Sequence, residues 1–287
     1  MTQNIFSITA NDALYPPLLR EIPGAPQKLY YRGEIPRAWT HTVAIVGTRK
    51  ATRDGILTAR EIARDLASRG VLIISGLALG IDAAAHEGAL AGGGKTYAVL
   101  ANGLDTIYPP SHESLARQIL ETGGCIFSEY PEGTPSYPSQ FLERNRIVSG
   151  LSLATVVIEA PERSGALVTA RNAIEQGRDV FIIPGPVHHS NYRGSHFLVR
   201  EGARLVTSAE DIIRDLGIEA QKKLPEFSSE QVKVFSVIKE QKVPLDVDRI
   251  AELVTLEPHV VQSALTFLSL EGYIEEASGK FCITKTL

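Results

Sequence analysis

Short runs of β-branched and other apolar residues recur through the middle of the chain, with helical patterns between them. The runs cover Val43–Val46, Val71–Ile74, Thr96–Leu100, Ala154–Ile158 and Val180–Ile183. They do not alternate with polar residues, which is typical of strands buried on both faces of a sheet. Arg53–Arg69, between the first two runs, places its apolar residues on one helical face. This strand–helix–strand repetition predicts an α/β domain with a parallel sheet over residues 41–217.

The segments on either side of this region have different patterns. Residues 1–40 are rich in proline and aromatics, so we expect an irregular N-terminal segment, packed on the core, with at most one short helix. Residues 218–227 are polar, contain proline and are interpreted as a linker. Residues 228–287 combine a predicted hairpin around Ser278-Gly279 with helix candidates at 228–239, 246–253 and 257–270. Three helices followed by a hairpin form the outline of a winged-helix domain.

Composition narrows the classes of protein that need to be considered. Of the 287 residues, 44% are hydrophobic and 22% are charged, which is ordinary for a globular protein. The formal net charge is −4, so a polyanion must bind to a local basic patch. Cys125 and Cys282 form no CxxC pair, so neither a zinc ribbon nor a disulfide framework is indicated. The start of the chain is not a signal peptide and no apolar stretch is long enough to span a membrane, so we expect a cytoplasmic protein.

The first predicted strand ends in Gly47-Thr48-Arg49. Ligands of parallel sheets bind outside the carboxyl ends of the strands. Glycine allows close approach of the backbone, threonine supplies a hydroxyl, and the guanidinium of arginine fits phosphate oxygens. The helix that follows adds its positive N-terminal end. We therefore predict that Gly47-Thr48-Arg49 binds a phosphate-bearing ligand.

The second strand ends in Ser75-Gly76, and Asp82 and His86 follow in the next helix. The glycine spacing is G-x-x-x-G and not G-x-G-x-x-G, which disfavours a dinucleotide, so we expect no cofactor. A catalytic triad of Ser75, Asp82 and His86 is one interpretation. We favour a structural one, in which Asp82 caps the helix and His86 hydrogen-bonds to it.

A turn-rich loop over residues 133–139 leads into a helix with an aromatic residue, two arginines and an asparagine: Phe141, Arg144, Asn145 and Arg146. Aromatic rings stack on bases and arginines bind phosphates at surfaces that hold single-stranded nucleic acid. The alternative is a solvated helix start with Phe141 in the core.

Ser164-Gly165, at the start of another helix, is a further candidate anion site. A metal site at His188, His189 and His196 is disfavoured because no carboxylate or cysteine lies at ligand spacing.

Together these motifs resemble the DNA-processing protein A family (DprA, also called Smf). The matching stretches occur in family order: Ile45–Arg49, Ser75–Asp82, Phe141 with Arg144–Ile147, Ser164–Ala170, Pro184-Gly185 and Gly202-Ala203. The resemblance implies an extended Rossmann-like fold that binds single-stranded DNA, usually as a homodimer, and has no catalytic activity. It implies a mediator that protects incoming DNA and loads the RecA recombinase on it during natural transformation. The family's binding pocket matches at Gly47-Thr48-Arg49, and we extend it to Phe141, Arg144 and Arg146.

The sequence departs from the family pattern at two places. Many members carry a small helical domain upstream, and we expect no counterpart of it in residues 1–40. Some members have a lysine just before the aromatic residue of the fourth motif. Residues 137–140 contain no lysine, so we expect the arginines to supply the charge of the pocket.

Two further hypotheses concern the C-terminal domain and the possibility of catalysis. Residues 225–287 contain six Lys and Arg against ten Asp and Glu, and Glu257–Leu270 has neither Lys nor Arg. Because a domain that binds duplex DNA needs cationic contacts to phosphate, we expect this domain to contact protein.

The alternative function for the whole protein is that of the related nucleotide phosphoribohydrolases, which carry a Pro-Gly-Gly-x-Gly-Thr-x-x-Glu signature. The corresponding stretch, Arg163–Arg171, lacks its glycine cluster and its glutamate.

Overall fold

The computed structural model describes residues 4–36, 39, 41–218, 228–241, 243–270, 272–277 and 279–284. The chain divides into two compact units, Met1–Lys222 and Lys223–Leu287. All but the first residue of the predicted linker, 218–227, lies outside the described residues.

The first unit alternates strands and helices along most of its length. In chain order its elements are β1 (Phe6–Thr9), α1 (Pro17–Arg20), β2 (Lys28–Gly33), β3 (Thr42–Val46), α2 (Arg53–Ala67), β4 (Leu72–Ser75), α3 (Ile81–Ala91), β5 (Thr96–Leu100), α4 (Glu113–Glu121), β6 (Cys125–Ser128), α5 (Pro138–Gly150), β7 (Ala154–Val157), α6 (Gly165–Glu175), β8 (Asp179–Ile182), α7 (Arg193–Arg200), β9 (Arg204–Leu205) and α8 (Ala209–Asp215). Short 3-10 turns precede α4 and α7.

These strands form one sheet in the order β1-β2-β6-β5-β4-β3-β7-β8-β9. The seven strands from β6 to β9 in this order are parallel, which confirms the predicted α/β fold with a parallel sheet. The chain runs outward from β3 through β4 and β5 to β6, and then returns to place β7 on the other side of β3. The strand order therefore reverses between β3 and β7. A crevice at such a point is the usual ligand site of an open α/β sheet.

The apolar runs are continuous because helices cover both faces of the sheet. In β3, Ala44 and Val46 belong to the core that includes residues of α5 and α6. Val43 and Ile45, which point to the opposite face, belong to the core that includes α2, α3 and α8. A strand with apolar contacts on both sides has no polar face, so its sequence shows no alternation.

The prediction of an irregular N-terminal segment is wrong. Strands β1 and β2 pair antiparallel, and β2 pairs antiparallel with β6, so both extend the main sheet. The prolines that suggested irregular structure lie outside these strands: Pro17 begins α1, the predicted short helix, and Pro23 and Pro26 lie between α1 and β2. The strands themselves contain no proline, so their N–H groups are free to pair.

The second unit contains three helices and then a two-stranded antiparallel hairpin: α9 (Ser229–Gln241), α10 (Val247–Val254), α11 (Pro258–Leu270), β10 (Ile274–Ala277) and β11 (Lys280–Ile283). Leu245 bridges to Phe281 of the hairpin, and both belong to this unit's own apolar core. The elements follow the predicted order. Assignment to the winged-helix class stays a prediction, and Ser278 of the predicted turn lies outside the described residues.

Candidate nucleic-acid interface

A cleft of about 640 Å³ lies at the carboxyl ends of the strands around the point where the strand order reverses. Its walls come from the segments that follow β3, β4, β5 and β7 and from the first turns of α5 and α6. Four cationic side chains and one carboxylate are found among the described residues that line it: Arg49, Lys50, Arg144, Arg163 and Asp82. The cleft is thus a local cationic site in a chain whose formal net charge is −4.

The loop after β3 holds two of these cations at the mouth of the cleft. The Thr48 N–H donates to the carbonyl of Glu159 over 2.8 Å, and the Thr48 hydroxyl accepts from the Lys50 N–H over 3.2 Å. Thr48 itself is buried, whereas Arg49 and Lys50 are exposed. The threonine hydroxyl that the sequence suggested as a ligand contact is therefore part of the loop's own turn.

A stack of three side chains, two exposed and one half-buried, forms one wall of the cleft. The Arg49 guanidinium carbon lies 4.8 Å from the centre of the Phe141 ring, within the range of a cation–π contact. The Tyr108 ring lies on the same phenylalanine, with 5.4 Å between ring centres and 42% of the tyrosine exposed. Phe141 is half-buried at the cleft, so its alternative interpretation as a core residue does not hold. Sequence reasoning missed Tyr108, and the exposed aromatic in the Tyr108-Pro109 turn was the available signal.

Arg144 forms the floor of the cleft, with only 4% of the residue exposed. Its Nη1 donates to the carbonyl of Gly76 over 2.7 Å and to the carbonyl of Val99, while its Nε donates to Asn145 Oδ1 over 3.2 Å. Burial lowers the pKa of Arg144 to about 10, opposed by the carboxylate of Asp82. A pKa of about 10 still leaves the guanidinium charged at neutral pH. Arg144 therefore ties α5 to β4 and β5 and contributes a fixed positive charge to the floor.

Two glycines that line the cleft have no space for a side chain. A Cβ on Gly76 would lie 2.5 Å from both terminal nitrogens of Arg144, and a Cβ on Gly47 would lie 2.5 Å from Ile81. The backbone at these glycines is thus packed against neighbouring elements and open to the cleft on its other side.

The carboxylate of Asp82 is buried beside Arg144 and accepts from the Gly76 N–H over 3.1 Å. Burial raises the pKa of Asp82, opposed by Arg144 and by backbone hydrogen bonds. Asp82 and His86, both within the described part of the chain, do not form the predicted hydrogen bond with each other. His86 Nδ1 instead lies 2.7 Å from the hydroxyl of Thr96. The Ser75 hydroxyl donates to the Ile45 carbonyl over 2.7 Å, so the residues of the candidate triad are not joined.

A second wall is formed by the start of α6. Ser164 precedes the helix and Gly165 is its first residue, and both line the cleft with Arg163. The Ser164 hydroxyl is buried and has no hydrogen-bond partner among the described residues. Asn145 joins this wall to the floor, since its side-chain amide donates to the Gly165 carbonyl over 3.1 Å. Arg163 and Lys50, which the prediction missed, stand directly beside the predicted motifs, and that adjacency was the available signal.

Two predicted site residues do not reach the cleft. Ser75 is fully buried and bonds β4 to β3 through the Ile45 carbonyl. Arg146 donates to both carboxylate oxygens of Glu129, each over 2.7 Å, and is not among the residues that line the cleft. Residues 144 and 146 are about 200° apart around a helix, so only one of these two arginines faces the cleft.

The histidines after β8 have other partners. His189 Nδ1 accepts from the Asn191 N–H over 3.2 Å, and His196 Nε2 lies 3.2 Å from the Gly185 carbonyl. In the part of the chain that the structure describes, no group of three or more His, Cys, Asp or Glu side chains is arranged to hold a metal ion. Nor does any described helix have both the length and the apolar character required to cross a membrane.

Comparison with known proteins places these features in a family. The sequence profile of DNA recombination-mediator protein A matches residues 6–217. The chain is 40% identical to protein Smf of Escherichia coli (strain K12) over 286 residues, covering 96% of this chain and 76% of that protein. It is 44% identical to protein Smf of Synechocystis over 214 residues, covering 73% of this chain and 54% of that longer protein.

Solved structures agree with these matches. DNA processing protein A from Streptococcus pneumoniae is 40% identical and superposes with a TM-score of 0.70, covering 74% of this chain and 75% of that chain. DNA processing protein A from Helicobacter pylori, studied for its single-stranded DNA binding mode, is 29% identical with a TM-score of 0.68. That match covers 77% of this chain and 99% of the other. The chain therefore belongs to the DNA recombination-mediator protein A family, also called DprA or Smf, and has its Rossmann-like fold.

Proposed function

We propose that this protein is a recombination mediator that binds single-stranded DNA in the cleft between β3 and β7. The observation that carries the proposal is the stack of Arg49, Phe141 and Tyr108 beside the cationic floor. Membership of the mediator family and the single-stranded DNA studied with the Helicobacter pylori protein support it.

The chemistry of the walls favours a single strand over a duplex. A base stacks on an aromatic face only when that face of the base is free, and such stacking contributes about 1–3 kcal/mol per base. Arg49 and Lys50 on one side and the Ser164-Gly165 helix start on the other supply donors for phosphate. We assign phosphate contacts to Gly47, Arg49, Ser164 and Gly165 and to the missed residues Lys50 and Arg163. The predicted contacts Thr48 and Gly76 line the cleft, but their N–H groups already donate to the Glu159 carbonyl and to the Asp82 carboxylate. Arg144 and Asn145 form the floor beneath them.

The wider role rests on family membership. We propose that the protein covers incoming single strands in the cytoplasm, acts as a homodimer, and loads the RecA recombinase during natural transformation. RecA filament assembly on oligo-dT strands already covered by this protein tests the loading step. Assembly that is no faster than on strands with a heat-inactivated sample would contradict it.

Binding to fluorescein-labelled oligo-dT, measured by anisotropy across a salt titration, tests the cleft. Arg49→Ala is expected to lower the slope of log affinity against log salt by about 0.7 for each phosphate that the arginine neutralises in the wild type. Phe141→Leu is expected to weaken binding by about 1–3 kcal/mol with little change in that slope, because it removes stacking and no charge.

The matched control is Arg60→Ala, which removes one positive charge from an exposed ion pair with Glu87 between α2 and α3. Arg146→Ala tests the sequence-based prediction that Arg146 binds DNA, because in the structure Arg146 is paired with Glu129 outside the cleft. Arg60→Ala and Arg146→Ala are both expected to bind oligo-dT within about twofold of the wild type, because the loss of one charge outside the binding site has a small effect. If Arg49→Ala bound oligo-dT as the wild type does, the assignment of the cleft would fail.

We further propose that the protein is not an enzyme. Incubation with AMP, followed by chromatography for free adenine, tests the phosphoribohydrolase alternative. Release above a heat-killed control would overturn the proposal.

The second unit is proposed to contact protein and not DNA. Its α11 contains no Lys or Arg, and the exposed positions of that helix include Gln262, Ser263, Thr266 and Leu270. A gel shift with duplex DNA compares the full chain with a chain that ends at Lys222. Equal duplex binding is expected, and a clear loss in the shorter chain would contradict the charge argument.

A further inference from the structure

Glu159, one residue beyond the apolar run of β7, is a fully buried carboxylate that the sequence motifs leave without a role. Its Oε2 accepts from the Thr52 N–H over 3.0 Å and from the Asn191 side-chain amide over 2.8 Å. Its Oε1 accepts from the Thr52 hydroxyl and from the Tyr192 hydroxyl, the latter over 3.1 Å. All four donors are uncharged, so hydrogen bonds rather than an ion pair stabilise this buried charge.

The partners of Glu159 enclose the loop that carries Arg49 and Lys50. At the start of the loop, the Thr48 N–H donates to the Glu159 carbonyl over 2.8 Å. At its end, Thr52 is the N-cap of α2 and is bound by the carboxylate through both its N–H and its hydroxyl. In the middle, Asn191 donates to the Lys50 carbonyl over 3.0 Å and to the carboxylate at the same time. The loop is thus held at three points, and each point is bonded either to Glu159 or to a residue that Glu159 orients.

The carboxylate is closely packed on the side of α2 and on the side of Tyr192. A Cβ on Gly55 would collide with the Glu159 carboxylate, so the first turn of α2 is packed directly on it. Tyr192 is buried, and burial together with the Glu159 charge raises the pKa of its hydroxyl to about 12. The hydroxyl therefore remains a donor throughout the neutral range.

We propose that Glu159 is a positioning residue that holds the loop of residues 47–52 in place, so that Arg49 and Lys50 face the cleft before DNA arrives. The role rests on the proposed DNA-binding function of that cleft. A loop that is ordered in advance does not lose conformational freedom on binding, which is how pre-organisation increases affinity. Glu159 contacts no ligand in this role. It acts through the cations, although its own negative charge opposes phosphate.

A pair of variants of similar size separates positioning from simple packing. Glu159→Gln retains an acceptor oxygen for the Thr52 N–H and for Asn191, and its amide can donate to the hydroxyl oxygens of Thr52 and Tyr192, so that only the two hydroxyl protons lose their acceptor. Glu159→Leu fills similar space but leaves all four donors without an acceptor. Hydrogen exchange of the full-length protein without DNA measures the loop directly, through peptides that cover residues 47–55. Glu159→Leu is expected to exchange about tenfold or more faster there than the wild type, and Glu159→Gln within about threefold of it.

Oligo-dT binding then shows whether the loop acts through its cations. Glu159→Leu is expected to weaken binding about tenfold in the wild-type background, but less than twofold when Arg49 and Lys50 are both alanine. A variant that merely destabilised the fold would weaken binding equally in both backgrounds, and that result would overturn the proposal. Equal exchange of the Gln and Leu variants at residues 47–55 would overturn it too. Because exchange is measured without DNA, failure of wild-type DNA binding would refute the proposed function and leave the exchange result interpretable.

Asn191→Ala provides the test if Glu159→Leu does not fold. Asn191 is only half-buried, and its truncation removes the bridge between the Lys50 carbonyl and the carboxylate. Faster exchange at residues 47–55, with the rest of the chain unchanged, is the expected result. An unchanged rate in those peptides would contradict the proposed positioning role.

Discussion

The stability of the first unit should depend on pH through one buried histidine, His86 of α3. The ring is fully buried, and its Nδ1 lies 2.7 Å from the hydroxyl of Thr96. That hydroxyl donates to the Ile73 carbonyl over 2.9 Å, so Nδ1 must be the donor to Thr96. Nε2 is then a bare lone pair, buried without a hydrogen-bond partner among the described residues. Burial, with the nearby charges of His112 and Arg144, lowers the pKa of His86 to about 3 from an ordinary value of 6.5.

The sign and size of the effect follow from these two pKa values. As pH falls below 6.5, the unfolded chain binds a proton at this position and the folded chain does not, so acid stabilises the unfolded state. The stability is therefore intact above pH 6.5 and decreases progressively down to about pH 3. Between pH 7.5 and pH 5.0 the loss from His86 alone is about 2 kcal/mol, and it hardly depends on the exact folded pKa because that value lies well below 5.

Urea unfolding at the two pH values, followed by the fluorescence of the single tryptophan, measures this loss. Trp39 belongs to the first unit and packs on Tyr97 and Phe127, so its signal reports the unit that contains His86. His86→Asn keeps a donor for Thr96 and removes the titrating group. It leaves a small cavity that costs about 1–3 kcal/mol at both pH values. The wild type is expected to lose about 2 kcal/mol more than this variant between pH 7.5 and pH 5.0. If both lost the same amount, the neutral, buried state of His86 would be refuted.

Three further predictions concern the floor of the cleft and the core. Gly76→Ala places a methyl group against the guanidinium of Arg144, and urea unfolding is expected to show a loss of about 2–4 kcal/mol, whereas an unchanged midpoint would contradict the packing. Ser75→Ala removes the bond to the Ile45 carbonyl and is expected to cost about 1 kcal/mol with oligo-dT affinity unchanged, so weaker binding would restore Ser75 to the site. Cys125 is buried and its pKa is raised well above the ordinary value, so Ellman's reagent at pH 7.5 is expected to label it only after denaturation, and rapid labelling of both cysteines would contradict its burial.

Sequence patterns were sufficient for the central strands because burial on both faces leaves a contiguous apolar signal. They were insufficient at the edge of the sheet. Three of the four residues of β1 are exposed and only Ile8 is buried, so β1 shows no period, and β2 is defined by its pairing with β1 and β6. Besides the nearby β1, Lys28–Gly33 pairs with a strand almost 100 residues away, and it is this distant pairing, which local sequence does not specify, that joins it to the main sheet.

The sequence by itself determined that Gly47-Thr48-Arg49 would lie at the edge where the carboxyl ends of the strands meet, because all strands of a parallel sheet end on the same side. Only the tertiary structure decided which residues join it there. The return of the chain from β6 to β7 brings the start of α6 beside β3, and packing of α5 on the sheet turns Arg144 inward and Arg146 toward Glu129. Glu159 gave no signal of its own, because its donors come from two segments that are distant from it in the chain: Thr52, and the adjacent Asn191 and Tyr192. Residue type and spacing fix the chemistry that is available, but strand order and helix rotation fix which groups meet, since both depend on contacts between residues far apart in the chain.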